Sequence, residues 1–254
     1  MVYPTLYNYR SILEDTIKSQ EIIRINHIRI IVGEIKKKMH TYVKALKKVA
    51  SRYAPSRMLS FELIHVFKVF QLLDQNGRVS RESLGQDLGL GKGTTRTLLK
   101  HMKMQGLVQS TNGGTRLTHK GRTISSELFR YIPRESAVPR CSIALGKYNY
   151  AVLLREFGFA VKSGIEQRDA AIRMGAIGAT TLLYKNQQFL MPGTISNSLS
   201  NEIDIAILLV NNLRPTDGDV VIIGSDSNNK KTAELAAKSA ALATIMNHER
   251  HHHL

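Results

Sequence analysis

A single cysteine, Cys141, stands in 254 residues, so no disulfide framework can form within the chain. A lone thiol fits a reducing compartment. No apolar run approaches the roughly 18–20 residues that a membrane span needs. The first residues, Met1 to Glu14, contain tyrosines but no apolar core of the secretory type. These absences predict a soluble, intracellular protein with no membrane partner. Acidic residues are also scarce. Asp and Glu number 20 against 36 Lys and Arg, giving a formal net charge of +16. An excess of that size implies a polyanionic partner, either nucleic acid or an anionic membrane face, and says nothing about fold. Hydrophobic residues make up 43%, enough for a packed core and too many for global disorder.

The charge is unevenly spread. Residues 1–57 carry a net +8, residues 58–132 a net +6, and residues 133–254 only +2. The front half is a cationic body and the back half is nearly balanced, which predicts two different roles. The stretch from Ile12 to Val49 lacks proline and reads as a long helix. Ile25, Ile28, Val32, Ile35, Met39, Tyr42, Leu46 and Val49 follow a 3-4 spacing, with Lys36, Lys37, Lys38, Lys44, Lys47 and Lys48 outside that seam. A dimerising coiled coil, an amphipathic helix folded back on its own domain, and a helix lying on a membrane surface all satisfy this pattern. Ala54-Pro55-Ser56-Arg57 then breaks the helix.

From residue 58 the elements follow in quick succession. Ser60 is the expected N-cap of a helix built on Phe61, Ile64, Val66, Phe67, Phe70, Leu72 and Leu73. Asp74-Gln75-Asn76-Gly77 ends it. Ser80 opens a second, short helix with Leu84 and Leu88 on one face. Gly89-Leu90-Gly91 is a turn, with Leu90 expected inside. A third helix is predicted from about Gly93 to Gln105. Its inward face is Thr95, Leu98, Leu99 and Met102. Thr94, Arg96, Thr97 and Lys100 are left outward, with Lys92 just ahead. Hydroxyl and cationic side chains are the types that contact phosphates and guanine edges. Gly106 stops the helix, and two short strands flank Thr111-Asn112-Gly113-Gly114, where Asn-Gly is a strong hairpin signal. Arg116 flanks the hairpin tip. Thr118 caps a further helix that carries Lys120 near its start. Gly89-Leu90-Gly91-Lys92-Gly93-Thr94 imitates a phosphate-binding loop. However, that motif needs glycine where Gln86 stands, and Ser or Thr where Gly93 stands.

Leu88-Gly89-Leu90-Gly91, Thr94-Thr95-Arg96-Thr97-Leu98-Leu99, Gly106-Leu107-Val108 and Leu117-Thr118-His119-Lys120-Gly121 together resemble the winged helix-turn-helix regulators of bacteria and archaea. The resemblance implies double-stranded DNA as partner, with the third helix in the major groove and the hairpin as a wing at the backbone or minor groove. The DNA-contacting set is then Lys92, Thr94, Arg96, Thr97, Lys100, Asn112, Arg116 and Lys120.

Pro133 and Pro139 bracket an expected linker into a compact mixed α/β domain over 138–247. The sequence predicts a short strand at 142–145, helices at 150–156 and 166–174, and a hairpin of 179–184 with 189–191. A helix at 203–213, a buried strand at 219–224 and an alanine-rich helix at 230–246 follow. Two places are candidate ligand sites. One joins Glu166, Arg168, Asp169 and Thr180 beside glycines. The other is Ser225 and Asp226, read as a loop between a strand and a helix start that can hold an anion. Gly-Ile-Glu-Gln-Arg-Asp-Ala-Ala-Ile (164–172), Gly-Ala-x-Gly-Ala-Thr-Thr-Leu (175–182) and Gly-Asp-Val-Val-Ile-Ile-Gly (218–224) resemble the C-terminal domain of an archaeal winged-helix family of unassigned function. That resemblance implies architecture and no chemistry.

No convincing nucleophile–base pair is present, and no metal-ligand spacing occurs outside the His-rich tail at 248–254. The expectation is therefore a non-enzyme without cofactor. The fold class is α+β: an N-terminal long helix (1–57) and winged helix-turn-helix (58–132), followed by the α/β domain (138–247). The expected role is a DNA-binding transcriptional regulator, a homodimer whose C-terminal domain dimerises or senses a small-molecule effector. The runner-up is a small-molecule enzyme tethered to nucleic acid, with its active site in the C-terminal domain.

Overall fold

The computed structural model describes residues 41–51, 59–144 and 146–247. The chain divides into two compact units, Met1–Thr41 and Tyr42–Leu254. Of the first, only Thr41 is among the described residues, so most of the expected N-terminal seam lies outside them. The helical residues 41–49 (α1) bury Val43, Leu46 and Val49 and leave Lys44, Lys47 and Lys48 in solvent. These residues pack within Tyr42–Leu254: His101 donates from Nδ1 to the Val49 carbonyl at 2.9 Å.

Helix α2 (Leu63–Asn76) begins later than the sequence suggests. Its N-cap is Glu62, not Ser60, because His65 turns back from the first turn. The Glu62 N–H donates to His65 Nδ1 at 2.9 Å. Helix α3 (Arg81–Leu88) is capped as expected, with Ser80 Oγ accepting from the Ser83 N–H at 3.0 Å. Gly89 closes it in the left-handed region at φ 68°. Helix α4 (Lys92–Met104) then crosses close to α3: a Cβ on Gly85 would stand 3.1 Å from Thr95 Oγ1. Leu90, expected inside, is half-buried.

Strands β1 (Val108–Thr111) and β2 (Gly114–Leu117) form the hairpin, with Thr111 opposite Gly114. Val79 bridges Thr115 as a further rung. The left-handed residue is Gly114 (φ 117°), where a Cβ would meet the Val79 carbonyl oxygen at 2.9 Å. Helix α5 (His119–Tyr131) starts at Thr118, whose Oγ1 accepts from the Gly121 N–H and donates to the Gly106 carbonyl. Gly121 is obligatory, since a Cβ there would lie 2.1 Å from the Leu107 oxygen. Thus the Leu-Thr-x-Lys-Gly signature encodes a cap and a close backbone approach. The order is three helices, a hairpin and a helix, as expected.

The remaining strands form one antiparallel sheet in the order β3-β4-β7-β5-β6. Three expectations fail here. The expected linker contains strand β3 (Glu135–Val138), and the expected helix at 150–156 is strand β4 (Tyr148–Leu154). Strand β4 is paired on both edges, with β3 and with β7 (Val220–Asp226). Residues 151–154 are all buried, which erases the alternation that would have marked a strand. The predicted strand at 142–145 is reduced to an isolated Cys141–Ala144 bridge. Helix α6 (Ile165–Arg173), β5 (Gly178–Lys185), β6 (Gln188–Leu190), α7 (Ile203–Leu213) and α8 (Lys230–Asn247) agree with expectation. Ile205, Leu209 and Leu213 of α7 cover one face of the sheet, in one core cluster with Val221 and Ile223 of β7. On the other face α8 presents alanines. Its backbone comes so near the central strand that a Cβ on Gly224 would sit 2.4 Å from the Ala233 oxygen.

Candidate nucleic-acid interface

The hairpin and helix α4 enclose an open groove of about 850 Å³, to which the start of α3 also contributes. At about 100° per residue, Lys92, Arg96, Lys100 and Lys103 share one side of α4. All four line this groove, as does Arg81 of α3. All five are exposed, and among the described residues none forms an ion pair. Glu82 is the one acidic residue of that lining. The result is a concave surface whose lining holds five cationic residues against one acidic residue.

The expected residues sort unevenly on this frame. Lys92, Arg96 and Lys100 face the groove, and Asn112 stands at its hairpin rim. Thr97 is half-buried at the edge of the outward face, and its hydroxyl donates to the Gly93 carbonyl at 3.1 Å. Thr94 is not on the outward face. It is half-buried and lies round the helix toward buried His101, because two residues before Arg96 is about 200° away. Arg116 is exposed on β2 opposite Gln109. With the Gln109 amide oxygen turned toward it, Nε and Nη2 of Arg116 donate at 2.7 and 3.0 Å. Lys120 is exposed but engaged: its Nζ donates to the Gln105 carbonyl at 2.8 Å, at the C-terminal end of α4. There it balances the negative end of the helix dipole. Sequence reasoning missed Lys103, Arg81 and Arg78. Lys103 is legible as the residue three past Lys100 and seven past Arg96. Arg78 is exposed and reaches over the hairpin turn, where a Cβ on Gly113 would stand 2.5 Å from its Nη1.

Behind this surface the helices are joined to the sheet by a buried ionic cluster. Lys238 of α8 has no exposed surface. Its ammonium donates to Glu234, to Glu135 of β3 at 2.9 Å, and to Gln71 of α2 at 2.7 Å. Lys68 of α2 pairs with Glu234, and the Tyr150 hydroxyl donates to Glu135 at 3.0 Å. Burial lowers the Lys238 pKa, against the pull of Glu135 and Glu234. Burial would raise the Glu234 carboxyl, but Lys238 and Lys68 outweigh it and hold it below its ordinary range. Burial also pushes the Tyr150 phenol up, helped by Glu135. Two cations and two anions are thus enclosed together. Lys231 adds a further tie by donating to the Gln86 carbonyl of α3.

The two ligand candidates are placed as follows. Arg168 and Asp169 pair with each other at 3.0 Å on the exposed side of α6, and Glu166 is half-buried in its first turn. Thr180 donates to the Ile143 carbonyl. Ser225 and Asp226 are not in a loop. Strand β7 runs through both, and both are buried. The amides expected to be open to an anion are occupied from within, since Asp226 Oδ1 accepts from the Asn228 and Asn229 N–H groups at 2.8 and 2.6 Å. The strand-end rule for ligand sites belongs to parallel sheets, and this sheet is wholly antiparallel.

Residues 145–245 match a family described as a domain of unknown function (DUF4443). Among solved structures, a hypothetical protein from Pyrococcus horikoshii OT3 is similar, at a TM-score of 0.57 and 25% identity. The match covers 75% of this chain and 95% of that one. Three quarters of the chain is more than everything after residue 132, so the likeness takes in helices ahead of the sheet. No curated protein matches the chain. A domain family matched over the sheet and an archaeal neighbour matched over most of the fold are together consistent with an archaeal family.

Proposed function

We propose that residues 58–132 are a winged helix-turn-helix that binds double-stranded DNA, and that the chain is a transcriptional regulator. The observation that carries this reading is the row of exposed cations along the groove between α4 and the hairpin, Arg81, Lys92, Arg96, Lys100 and Lys103, none of which forms an ion pair among the described residues. Leaving five like charges unneutralised on one surface costs self-repulsion, which a polyanion relieves. In this reading α4 enters the major groove by its N-terminal half. Arg96 has the planar fork that pairs with a guanine edge, while the lysines hold phosphates. The hairpin, with Asn112 at its rim and Arg78 lying over its turn, meets the adjacent backbone or minor groove.

Salt titration of binding, followed by fluorescence anisotropy on mixed-sequence duplex DNA, tests it. Four to five phosphate contacts give a slope of about −4 in log K against log salt. Affinity should then fall by roughly 250-fold between 50 and 200 mM salt. Lys100→Ala should reduce the slope by about one, and Arg96→Ala should cost ~1–3 kcal/mol on the selected site. A flat salt profile, or Arg96→Ala binding like wild type to every sequence, would overturn the reading.

A further inference from the structure

Two helices on the sheet expose large apolar side chains. On α6, Ile165 and Ile172 are exposed, but Asp169 lies between them with its carboxylate held by Arg168. Charge therefore interrupts that stripe. Helix α7 is different. Ile203, Ile207 and Val210 stand at i, i+4 and i+7, exposed by 66%, 52% and 38%, and no charged residue interrupts the line. Ile195, in the loop ahead of this helix, is 98% exposed. The opposite stripe of α7 is already committed to the sheet. Single exposed apolar residues are ordinary, but an aligned set on one helix face marks a contact surface.

The ends of this stripe carry opposite charges. Asp204 is in the first turn of α7, and Arg214 is the residue that closes the helix. Both are exposed, and among the described residues neither forms an ion pair. They are ten residues apart, or roughly 15 Å along the axis. An acid at one end and a base at the other make the face complementary to itself when reversed. We propose that this face of α7 is a homodimer interface, formed with α7 of a second copy running antiparallel about a two-fold axis between Ile207 and Val210. In that register Ile207 meets the partner's Val210, and Asp204 lies beside the partner's Arg214. The two-fold operation repeats each contact, as an isologous interface requires. The antiparallel arrangement also opposes the two helix dipoles favourably.

This interface gives the proposed regulator its two-fold symmetry and rests on that reading only for its use. Association is read without DNA, so failure of the interface and failure of DNA binding are separable. Sedimentation velocity over a concentration series compares the full chain with I207K, D204R, R214D and the double reversal D204R/R214D. All three substituted positions are exposed, and circular dichroism verifies the fold. The wild type should dimerise and I207K should remain monomeric. Each single reversal should raise the dissociation constant about tenfold, and the double reversal should restore it. Three results overturn the proposal. One is a monomeric wild type at every concentration. Another is a dimer that I207K leaves unchanged, as when another segment such as residues 1–40 holds the copies together. The third is single reversals that are silent, or that the double reversal does not rescue.

Discussion

Replacing Lys238 by methionine isolates what the buried cluster contributes. Methionine nearly preserves the volume but removes the charge. Lys68 still pairs with Glu234, while Glu135 keeps only Gln71 and the Tyr150 hydroxyl. Removing one partner from a buried pair typically costs 3–5 kcal/mol, because the remaining charge has lost its compensation. Glu135 and Glu234 retain 23% and 16% side-chain exposure, and that partial hydration places the expected loss at the lower end, about 3 kcal/mol. The chain has no tryptophan, so urea unfolding is best followed by far-ultraviolet circular dichroism. Adding Glu135→Gln to Lys238→Met should recover most of the loss, since the orphaned carboxylate disappears. The reasoning is refuted if Lys238→Met costs less than about 1 kcal/mol, or if the added Gln brings no recovery.

Three further outcomes follow from named contacts. Lys120→Met should lower stability by no more than about 1 kcal/mol and leave the salt slope of the proposed DNA binding unchanged, because its ammonium is committed to the Gln105 carbonyl; a slope reduced by one would return Lys120 to the proposed DNA-contacting set. Gly224→Ala should destabilise by about 3 kcal/mol or more in urea unfolding, since the added methyl meets backbone atoms of α8 at 2.4 and 2.6 Å. Burial lowers the His65 pKa from 6.5, so folding favours the neutral ring that accepts from Glu62. This stability is fully present above the unfolded value of 6.5 and is lost as pH falls below it toward the folded value. His65→Gln should flatten that part of the stability–pH curve, and an unchanged curve would show that the loss has another source.

What was legible in the sequence had local chemistry behind it. Ser80, Gly89, Thr118 and the Asn112-Gly113 turn each mark a boundary through their own caps or backbone, and the structure places helix ends and hairpin where they stand. Ile203–Leu213 was readable as a helix because eleven apolar-rich residues are too long for a typical buried strand. Strand β4 was not readable. Its last four residues are buried and pair with neighbours distant in sequence, so nothing local distinguishes Ala-Val-Leu-Leu from a buried helix. Asp226 misled for a related reason. A polar pair at the end of an apolar run looks like a loop, but its carboxylate ends the strand by holding the next amides. Of the groove, Lys92, Arg96 and Lys100 were found from helical spacing, whereas Arg81 depends on how α3 lies against α4. The cluster around Lys238 had no signal at all. A lysine in an alanine-rich helix reads as solvent-facing, and fully buried lysines are rare unless paired. Glu234 lies one turn away on the same helix, but the cluster's other members, Lys68, Gln71, Glu135 and Tyr150, are brought together only by the fold.

If the chain binds DNA as proposed, the buried cluster couples the C-terminal sheet to that binding. Gln71 and Lys68 on α2, Glu135 on β3 and Lys238 on α8 tie the helices to the sheet, and Lys231 ties α8 to α3. Tyr42–Leu254 is one compact unit. On the proposed reading, a dimer axis at α7 then fixes the distance and rotation between two α4 helices, with no linker to absorb error. Half-sites on one DNA face recur every 10–10.5 base pairs, so inserting about 5 base pairs between them turns one half-site to the opposite side of the duplex. A flexible dimer tolerates that insertion, and a rigid one does not. Binding to the spaced site should fall to the level of a single half-site in a gel-shift titration. Lys238→Met, by loosening the tie between helices and sheet, should narrow the difference between the two sites. Equal affinity of the wild type for both spacings would mean that the two recognition helices move independently, and the rigid coupling inferred from the cluster would be wrong.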